Sequence, residues 1–391
     1  MKNVPQPFPF VTAGPDRHRR KFLRQSGALA TASLLAGCVS APPATYPRPL
    51  SSRPFARPHV ESTGVAFGRV GLRPFRTSGF VVRSERLGEK TVVHNYGHDG
   101  AGITLSWGSS TLAVDEAPDL ADRRAAVLGC GVMGLTTARL LQQRGWKVTI
   151  YARDLPPNTT SNVAGGFWAP TSVFGHDGTT PQFDAQLDRA VKISHDVFAA
   201  QVGAGYGVSW IENYYLRNRP FGADDYYYLH NWPRLFPGIA ELSPNQHPFP
   251  ASHVLTHLTM LIEPAIFLPR LMNDFLISGG NIVVRHMGDR AELASLAEPL
   301  LFNCAGLGAK TLFDDAELTP VRGQLVFLPP DERVDYCMHG GGPGLLYMFP
   351  RKDGILLGGS YDKDDSRMEP DPEISARIIA GYARIAAAMR V

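Results

Sequence analysis

The chain has 391 residues, of which 44% are hydrophobic and 19% are charged, a composition typical of a globular protein long enough for two domains. Its formal net charge is +3, and the first 37 residues account for the excess because they hold six Lys or Arg and one Asp. The remaining 33 basic and 35 acidic residues form no basic run, which argues against nucleic acid as a partner.

The first 38 residues have the organisation of an export signal. Residues 19–23 (RRKFL) resemble a twin-arginine motif, with His18 where Ser or Thr is usual, and the weakly apolar run at 27–36 is too short to span a bilayer. Residues 35–38 (LAGC) resemble a bacterial lipoprotein cleavage box. We therefore expect export by the twin-arginine route to the periplasmic or cell-surface side, with a lipid anchor on Cys38; a disordered basic tail is the alternative.

A proline-rich stretch follows at residues 39–65, with six prolines between Pro42 and Pro58. It predicts a semi-rigid tether that extends about 3 Å per residue if it is polyproline-like. Residues 66–110 then form a separate block that carries two short motifs, GLRP at 71–74 and HNYGHDGAG at 94–102. This block precedes the segment that indicates a nucleotide-binding unit.

That segment, residues 125–175, begins with a short apolar run (AAVL) that predicts a buried parallel strand. Gly129, Gly131 and Gly134 then fill a G-x-G-x-x-G pattern. In such a pattern the glycines permit a tight turn, close approach of the backbone to a pyrophosphate, and close packing of a helix on a strand. An apolar helix face and a second strand at 147–151 complete a strand–helix–strand unit.

The residues after the second strand bear on the ligand. Asp154 lies twenty residues after Gly134, near the spacing at which a carboxylate meets a ribose hydroxyl, whereas the neighbouring Arg153 would suit a phosphate. Three glycines that merely mark a loop are the alternative. The unit predicts a bound dinucleotide and leaves the choice between NAD and FAD open.

Six motifs together resemble the D-amino acid oxidase family, and the resemblance covers about residues 68–391. Besides GLRP and HNYGHDGAG, they are TTSNVAGGFW at 159–168, NCAG at 303–306, PVRGQ at 320–324 and LGG at 357–359.

In that family the GLRP-type and HNYGHDGAG-type motifs normally stand near the C-terminus, whereas here they precede the nucleotide-binding unit. Their position indicates a circular permutation joined through residues 108–124, since domain termini often lie close together at the surface. A mis-assembled gene sequence would give the same order and is the alternative.

The resemblance implies an α/β fold in circularly permuted order, with a Rossmann-like FAD-binding domain and a second, substrate domain built on a mixed or antiparallel sheet. Residues 125–175 and 281–324 would belong to the FAD-binding domain. Residues 176–280 and 325–391 would form the substrate domain, ending in an amphipathic helix. Within the early block, a strand at 71–83 would join the substrate sheet, and residues 89–107 would contact the flavin.

FAD is the cofactor that the resemblance implies. It would be held by the glycine turn, the segment after the second strand, the later strand end and the early loop. The residues so implied are Gly129, Gly131, Val132, Met133, Gly134, Arg153, Asp154, Thr159, Thr160, Ser161, Gly165, Gly166, Met287, Cys304, Ala305, Gly306, Asp99, Gly100, Gly102, Ile103 and Thr104.

For the substrate, the resemblance implies that Arg73 clamps a carboxylate, that the Tyr347 hydroxyl supports the same carboxylate, and that the Gly100 carbonyl faces the amine. A surface ion pair at Arg73 and a core position for Tyr347 are the alternatives. Two departures from the family pattern bear on substrate range. Pro343 stands where the family has a second tyrosine, and Asp99 replaces a glycine and adds negative charge near the flavin.

Other reactive side chains have simpler interpretations. Because the flavin carries the chemistry, no catalytic side chain is expected, and we interpret His94 and His98 as packing or hydrogen-bonded residues. The histidines have no metal-ligand spacing, so no metal is expected. Cys130 and Cys304 are expected to be small buried side chains rather than partners in a disulfide.

The predicted activity is that of a FAD-dependent D-amino-acid oxidase. Hydride passes from Cα to the flavin, and oxygen is reduced to hydrogen peroxide, so that the amino acid yields a 2-oxo acid and ammonia. A membrane-tethered dehydrogenase with a quinone-like acceptor and a non-catalytic flavin-binding protein are the alternatives, and an NAD-linked dehydrogenase is a more distant one.

Overall fold

The computed structural model describes residues 54–60, 67–175, 179–222, 225–342 and 344–390. The predicted export signal with Cys38, most of the proline-rich tether and Pro343 lie outside the described residues. All described residues fall within one compact unit that spans 46–391. Within the described ranges, the helices are too short or too polar to cross a bilayer.

The described chain folds into strands and helices with these bounds. The strands are β1 (Phe67–Phe75), β2 (Val81–Leu87), β3 (Lys90–Tyr96), β4 (Arg124–Leu128), β5 (Lys147–Ala152), β6 (Val208–Arg217), β7 (Ala240–Leu242), β8 (His253–Ile262), β9 (Asn281–Val284), β10 (Leu300–Asn303), β11 (Thr319–Leu328), β12 (Tyr336–Gly340), β13 (Tyr347–Arg351), β14 (Gly354–Gly358) and β15 (Asp362–Lys363). The helices are α1 (Gly102–Asp115), α2 (Val132–Gln143), α3 (Thr160–Val163), α4 (Pro181–Gln201), α5 (Tyr227–Asn231), α6 (Pro264–Ile277), α7 (Arg290–Ala294), α8 (Ala309–Leu312) and α9 (Pro372–Ala388).

One sheet has six strands in the order β2-β3-β10-β4-β5-β9. Its strands run parallel except for β2, which pairs antiparallel with β3 at one edge. Asn303 at the end of β10 lies opposite both His94 and Leu128, so the carboxyl ends of three strands meet at one edge. Ligands bind at that edge in open parallel sheets. This sheet confirms the predicted Rossmann-like domain.

Helices α1 and α2 pack side by side on this sheet, with α4 against α1 and α6 against α2. The apolar positions that predicted α2, Leu135, Ala138 and Leu141, are fully buried. Gly108 allows the close approach of α1 to α4, because a Cβ there would lie 1.9 Å from the Ala190 carbonyl oxygen. Residues 181–201, which the sequence-based division assigned to the substrate domain, therefore pack on the FAD-binding side.

The second sheet has nine strands. Its main order is β1-β11-β14-β13-β12-β6-β8-β7, with β15 also paired to β11. All pairs are antiparallel except β6 with β12, so the sheet is mixed, as predicted. Helix α9 covers one face through buried Ile378, Tyr382 and Ile385, which is the amphipathic pattern expected for the C-terminal segment. The opposite face meets Val163 and Phe167, which come from the nucleotide-binding side.

Two sequence-based boundaries need correction. The boundary at Gln324 cuts through β11, whose whole length belongs to the nine-stranded sheet. The single strand predicted at 71–83 is two strands in different sheets: β1 joins the nine-stranded sheet and β2 the six-stranded one. The chain changes sheets in the turn between them, where the Gly79 N–H donates to the Arg76 carbonyl.

The early block is built into both sheets. Strand β1 pairs with β11 along its whole length, and β3 lies inside the six-stranded sheet between β2 and β10. Ahead of the block, Arg57 Nη2 donates to the Met389 carbonyl oxygen at 2.5 Å, and the Phe55 and Tyr336 ring centroids are 5.4 Å apart. Residues 54–60 therefore lie beside the end of α9.

Candidate active site

The glycine turn between β4 and α2 is formed by close backbone approaches. Gly129 has φ +98°, and a Cβ there would lie 2.6 Å from the Cys304 carbonyl oxygen. A Cβ on Gly134 would lie 2.0 Å from the Gly129 carbonyl oxygen. Only glycine allows α2 to start this close to the strand ends, which is the requirement that the sequence pattern predicted.

Two helix N-termini meet beside this turn. Helices α1 and α2 start after Ala101 and Gly131, and neither residue provides a capping side chain. A Cβ on Gly102 would lie 4.0 Å from a methyl of Val132, so the two helix starts are neighbours. N–H groups that lack partners within their own helix and the positive dipole ends of both helices therefore converge, which fits an anionic dinucleotide.

The segment after β5 links this cradle to the nine-stranded sheet. The Ser161 hydroxyl accepts a hydrogen bond from the Val132 N–H at 3.0 Å, and Thr159 forms a capping box with Asn162 at the start of α3. A Cβ on Gly165 would lie 2.6 Å from the Phe349 ring, and one on Gly166 would lie 1.9 Å from a backbone oxygen. These glycines let the segment lie flat against the second sheet.

The remaining predicted cofactor residues have mixed surroundings. Arg153 and Asp154 form an ion pair with each other at 2.7 Å at the exposed end of β5. The Ala305 N–H donates to the Asn303 side chain at 3.2 Å, which fixes the strand end beside Gly129. Met287 packs in the core against the other face of the six-stranded sheet.

The first turns of α1 and α2 and the loops next to them contain other predicted cofactor residues. In α1, the Thr104 hydroxyl donates to the Ala169 carbonyl at 3.2 Å, so it ties the helix start to the segment after α3. The structure gathers the following predicted residues at or next to the two helix starts: Gly100, Gly102, Ile103, Thr104, Gly131, Val132, Met133, Ser161 and Thr160.

Arg73 enters the site from β1. Alternate residues of a strand share a face, so Gly71 lies on the same face as Arg73. Gly71 packs against Val163: a Cβ on Gly71 would lie 3.2 Å from the Val163 Cβ. A Cβ on Gly323 would lie 2.8 Å from Arg73 Nη2, so this glycine leaves room for the guanidinium. Arg73 lies near enough to Tyr347 to oppose the rise in the pKa of that phenol. Arg73 and Tyr347, predicted to share one ligand group, are thus brought together.

The PVRGQ motif has a structural explanation. Arg322, buried, donates to the carbonyls of Arg367 and Glu369 at 3.0 and 2.7 Å, and Gln324 donates to the Asp371 carbonyl at 2.7 Å. These bonds hold the chain that leads into α9. The glycine between them, Gly323, faces Arg73, so one motif serves both the loop and the site.

Tyr347 lies against a wall of glycines and aromatic rings. A Cβ on Gly358 would lie 2.0 Å from the Tyr347 ring, and a Cβ on Gly359 would lie 2.8 Å from the Tyr347 hydroxyl oxygen. Burial raises the pKa of Tyr347, and Arg73 opposes the rise, so the phenol is neutral near pH 7. The His339 ring is 6.1 Å away, and burial lowers its pKa to about 3, so it is a neutral part of the wall.

Asp99 lies in the early loop, between β3 and α1. It has φ +46° and is 6% exposed. Its Oδ2 accepts a hydrogen bond from the Tyr361 hydroxyl at 3.3 Å, and the Arg73 guanidinium lies 5.3 Å from the centroid of the same tyrosine ring. Burial raises the pKa of Asp99 to about 6, while Arg73 and Tyr361 among others oppose the rise.

Sequence reasoning missed Tyr361 and His339. The first follows the LGG motif by two residues, and a polar aromatic residue just past a strand end was the available signal. The second lies next to the end of β12, directly before three consecutive glycines, and gave no signal in the sequence.

His94 and His98 are buried and hydrogen-bonded, as expected. His98 Nε2 contacts the Ser109 hydroxyl at 2.7 Å, and burial lowers its pKa to about 3. His94 Nδ1 contacts the Asn303 side chain at 3.1 Å. Cys130 and Cys304 are buried and not in disulfides, and the described residues contain no cluster of His, Cys, Asp and Glu suited to a metal.

Known proteins are similar to this chain in sequence and in fold. The family model described as FAD dependent oxidoreductase (DAO) matches residues 124–389. The D-amino-acid oxidase of Streptomyces coelicolor is 32% identical over 273 residues, covering 69% of this chain and 80% of that protein. The D-aspartate oxidase of Homo sapiens is 29% identical over 265 residues, covering 66% and 74%. Glycine oxidase from Geobacillus kaustophilus shares the fold, with a TM-score of 0.52 at 17% identity over 69% of this chain and 81% of that one.

Proposed function

Because the chain belongs to the FAD-dependent oxidoreductase family to which the D-amino-acid oxidases belong, we propose that it is an oxidase of D-amino acids. The reaction converts a D-amino acid, oxygen and water into a 2-oxo acid, ammonia and hydrogen peroxide. FAD is the cofactor of this family, and when bound it supplies the acceptor for the hydride from Cα. The glycine turn and the two helix starts would hold it.

The observation that carries the proposal is the position of Arg73. Its guanidinium lies against Gly323 and near enough to Tyr347 to oppose the rise in the pKa of that phenol, on the sheet face that receives Val163 from the nucleotide-binding side. A planar guanidinium with a neutral phenol beside it suits a carboxylate. The D configuration is supported by the relatives named D-amino-acid oxidase and D-aspartate oxidase.

The direct test is to purify residues 39–391 and record the visible spectrum, then measure peroxide release with a panel of D- and L-amino acids. We expect a flavin spectrum and peroxide from D-amino acids only. Reduction of artificial acceptors under anaerobic conditions without peroxide in air would favour a dehydrogenase. A flavoprotein that no amino acid reduces would contradict the proposal.

Arg73→Lys should keep the flavin but lose substrate affinity. Lysine cannot form the paired hydrogen bonds, so we expect KM to rise roughly 100-fold, equivalent to about 3 kcal/mol. Gly323→Ala should raise KM about tenfold, because its methyl group displaces the Arg73 guanidinium. Steady-state kinetics on flavin-loaded protein measures both effects.

The matched control is Arg69→Lys. Arg69 lies on the same face of β1, exposed, with its guanidinium 4.8 Å from the Phe327 ring centroid. We expect the KM of Arg69→Lys to stay within about twofold of the wild type, because Arg69 is four residues away from Arg73 along the strand. An equal rise in KM in Arg73→Lys, Gly323→Ala and Arg69→Lys would mean that Arg73 does not bind the substrate carboxylate.

We also propose that the protein is exported by the twin-arginine route and lipid-anchored at Cys38, on the basis of the RRKFL and LAGC motifs. One acyl-modified cysteine would tether the enzyme without a membrane-spanning helix. In cell fractionation, Cys38→Ser should move the protein from the membrane fraction to the soluble fraction. Unchanged membrane association would contradict the anchor.

We further propose that the order of motifs reflects a circular permutation. The contact between Arg57 and the Met389 carbonyl supports it, because it places residues 54–60 beside the end of α9, where a short linker would join residue 390 to residue 54. A chain that starts at residue 122, continues through that joint and ends at residue 121 should fold and bind flavin. Failure of this rearranged chain, when the natural order succeeds, would oppose the proposal.

A further inference from the structure

The loop between β3 and α1 contains a buried carboxylate that the oxidation itself does not require. Asp99 is 6% exposed, and its Oδ1 has no hydrogen-bond partner among the described residues. Its Oδ2 is bonded to the Tyr361 hydroxyl at 3.3 Å. A buried carboxylate oxygen without a partner is costly, so this group suits a site that a ligand completes.

A cation stands opposite this carboxylate. The Arg73 guanidinium lies 5.3 Å from the centroid of the Tyr361 ring, and a Cβ on Gly100 would lie 3.9 Å from Arg73 Cδ. Arg73 therefore lies next to the Asp99–Gly100 loop and over the ring of Tyr361, the tyrosine that is bonded to Asp99. It nevertheless provides no hydrogen bond to Asp99 Oδ1. The two opposite charges therefore lie against the same tyrosine without forming a direct ion pair with each other.

An α-amino acid zwitterion carries a carboxylate and an ammonium group on one carbon. We propose that Asp99 binds the α-ammonium group of the substrate while Arg73 and Tyr347 hold its carboxylate. This assignment rests on the proposed function and deepens it, since it makes the zwitterion the form of the amino acid that binds.

The groups around Asp99 define its pH dependence. Arg73 and Lys363 are cations, and burial raises the pKa of the Tyr361 phenol, so it is neutral. Burial raises the pKa of Asp99 to about 6, and Arg73, the Gly100 N–H, Tyr361 and Lys363 each oppose this rise. In the empty site, Asp99 is therefore an anion at pH 7.5 and becomes protonated as the pH falls through about 6.

Asp99→Asn tests the assignment, because asparagine tolerates the positive φ, keeps a polar group for Tyr361 and removes the charge. We expect the KM for D-alanine at pH 7.5 to rise about 10- to 100-fold. The inhibition constant of propionate, which has the same carbon skeleton without the amine, should fall instead, since its carboxylate no longer meets an unpaired anion. Disruption of the site would weaken both ligands together.

The pH profile gives a second readout. In the wild type, the KM for D-alanine should rise and propionate should bind more tightly as the pH falls through about 6. Both trends should vanish in Asp99→Asn. Asp314→Asn is the control, because Asp314 also has a positive φ, +53°, but is exposed. Its KM for D-alanine and its inhibition constant for propionate should match those of the wild type.

The outcomes separate this inference from the proposed function. A wild-type flavoprotein that oxidises no amino acid refutes the function. Turnover by the wild type with both constants of Asp99→Asn unchanged, or moved in the same direction, refutes only the role of Asp99. A loss confined to D-lysine, with D-alanine unaffected, would mean that Asp99 binds the substrate side chain and would also overturn the assignment.

Discussion

The site depends on the register between β1 and β11. The two strands pair antiparallel from Phe67 opposite Phe327 to Phe75 opposite Thr319, and this register sets Gly71 directly across from Gly323. Paired residues share a face, so two glycines leave a gap on the side that receives α3, and Arg73 extends into it. A slip of one residue would turn Arg73 to the α9 face and put side chains in the gap.

The turn after β1 holds the two sheets in a fixed relation. Arg76 is bonded to Asp315 at 2.9 Å and to Glu317 at 2.6 Å, both in the loop before β11, and its side chain is 14% exposed. Asp315 also accepts a hydrogen bond from the Tyr96 hydroxyl at the end of β3, at 2.8 Å. One network therefore joins the exit of β1, the end of β3 and the start of β11. Because Asp99 follows β3 and Arg73 precedes Arg76, the same network sets the separation of the two charges.

The sequence predicted the parts of the fold that local rules determine. The glycine turn, the apolar face of α2 and the two strands of the nucleotide unit follow from periodicity and from positions where a Cβ cannot fit, such as Gly134. The sheet assignment of residues 71–83 and of Gln324 was wrong because two strands joined by a short turn have the same alternation whether or not they share a sheet. The roles of Asp99 and Tyr361 depend on contacts between residues 262 positions apart in the chain, which spacing does not encode.

Electrostatics relates the cost of the buried Asp99 carboxylate to the ligand that we propose for it. The pKa of Asp99 rises from 3.8 in the unfolded chain to about 6 in the folded protein, so the folded state binds the proton more tightly. Protonated Asp99 therefore makes its full contribution to the free energy of unfolding below about pH 4. This contribution is lost as the pH rises to about 6, and the loss is up to about 3 kcal/mol. At neutral pH the empty site bears that cost, and a ligand that brings a cation to Oδ1 removes it. A ligand with a carboxylate alone would satisfy Arg73 and leave the cost in place. In the proposed assignment, the same buried oxygen that lowers the stability of the protein without ligand would discriminate between an amino acid and a simple carboxylic acid.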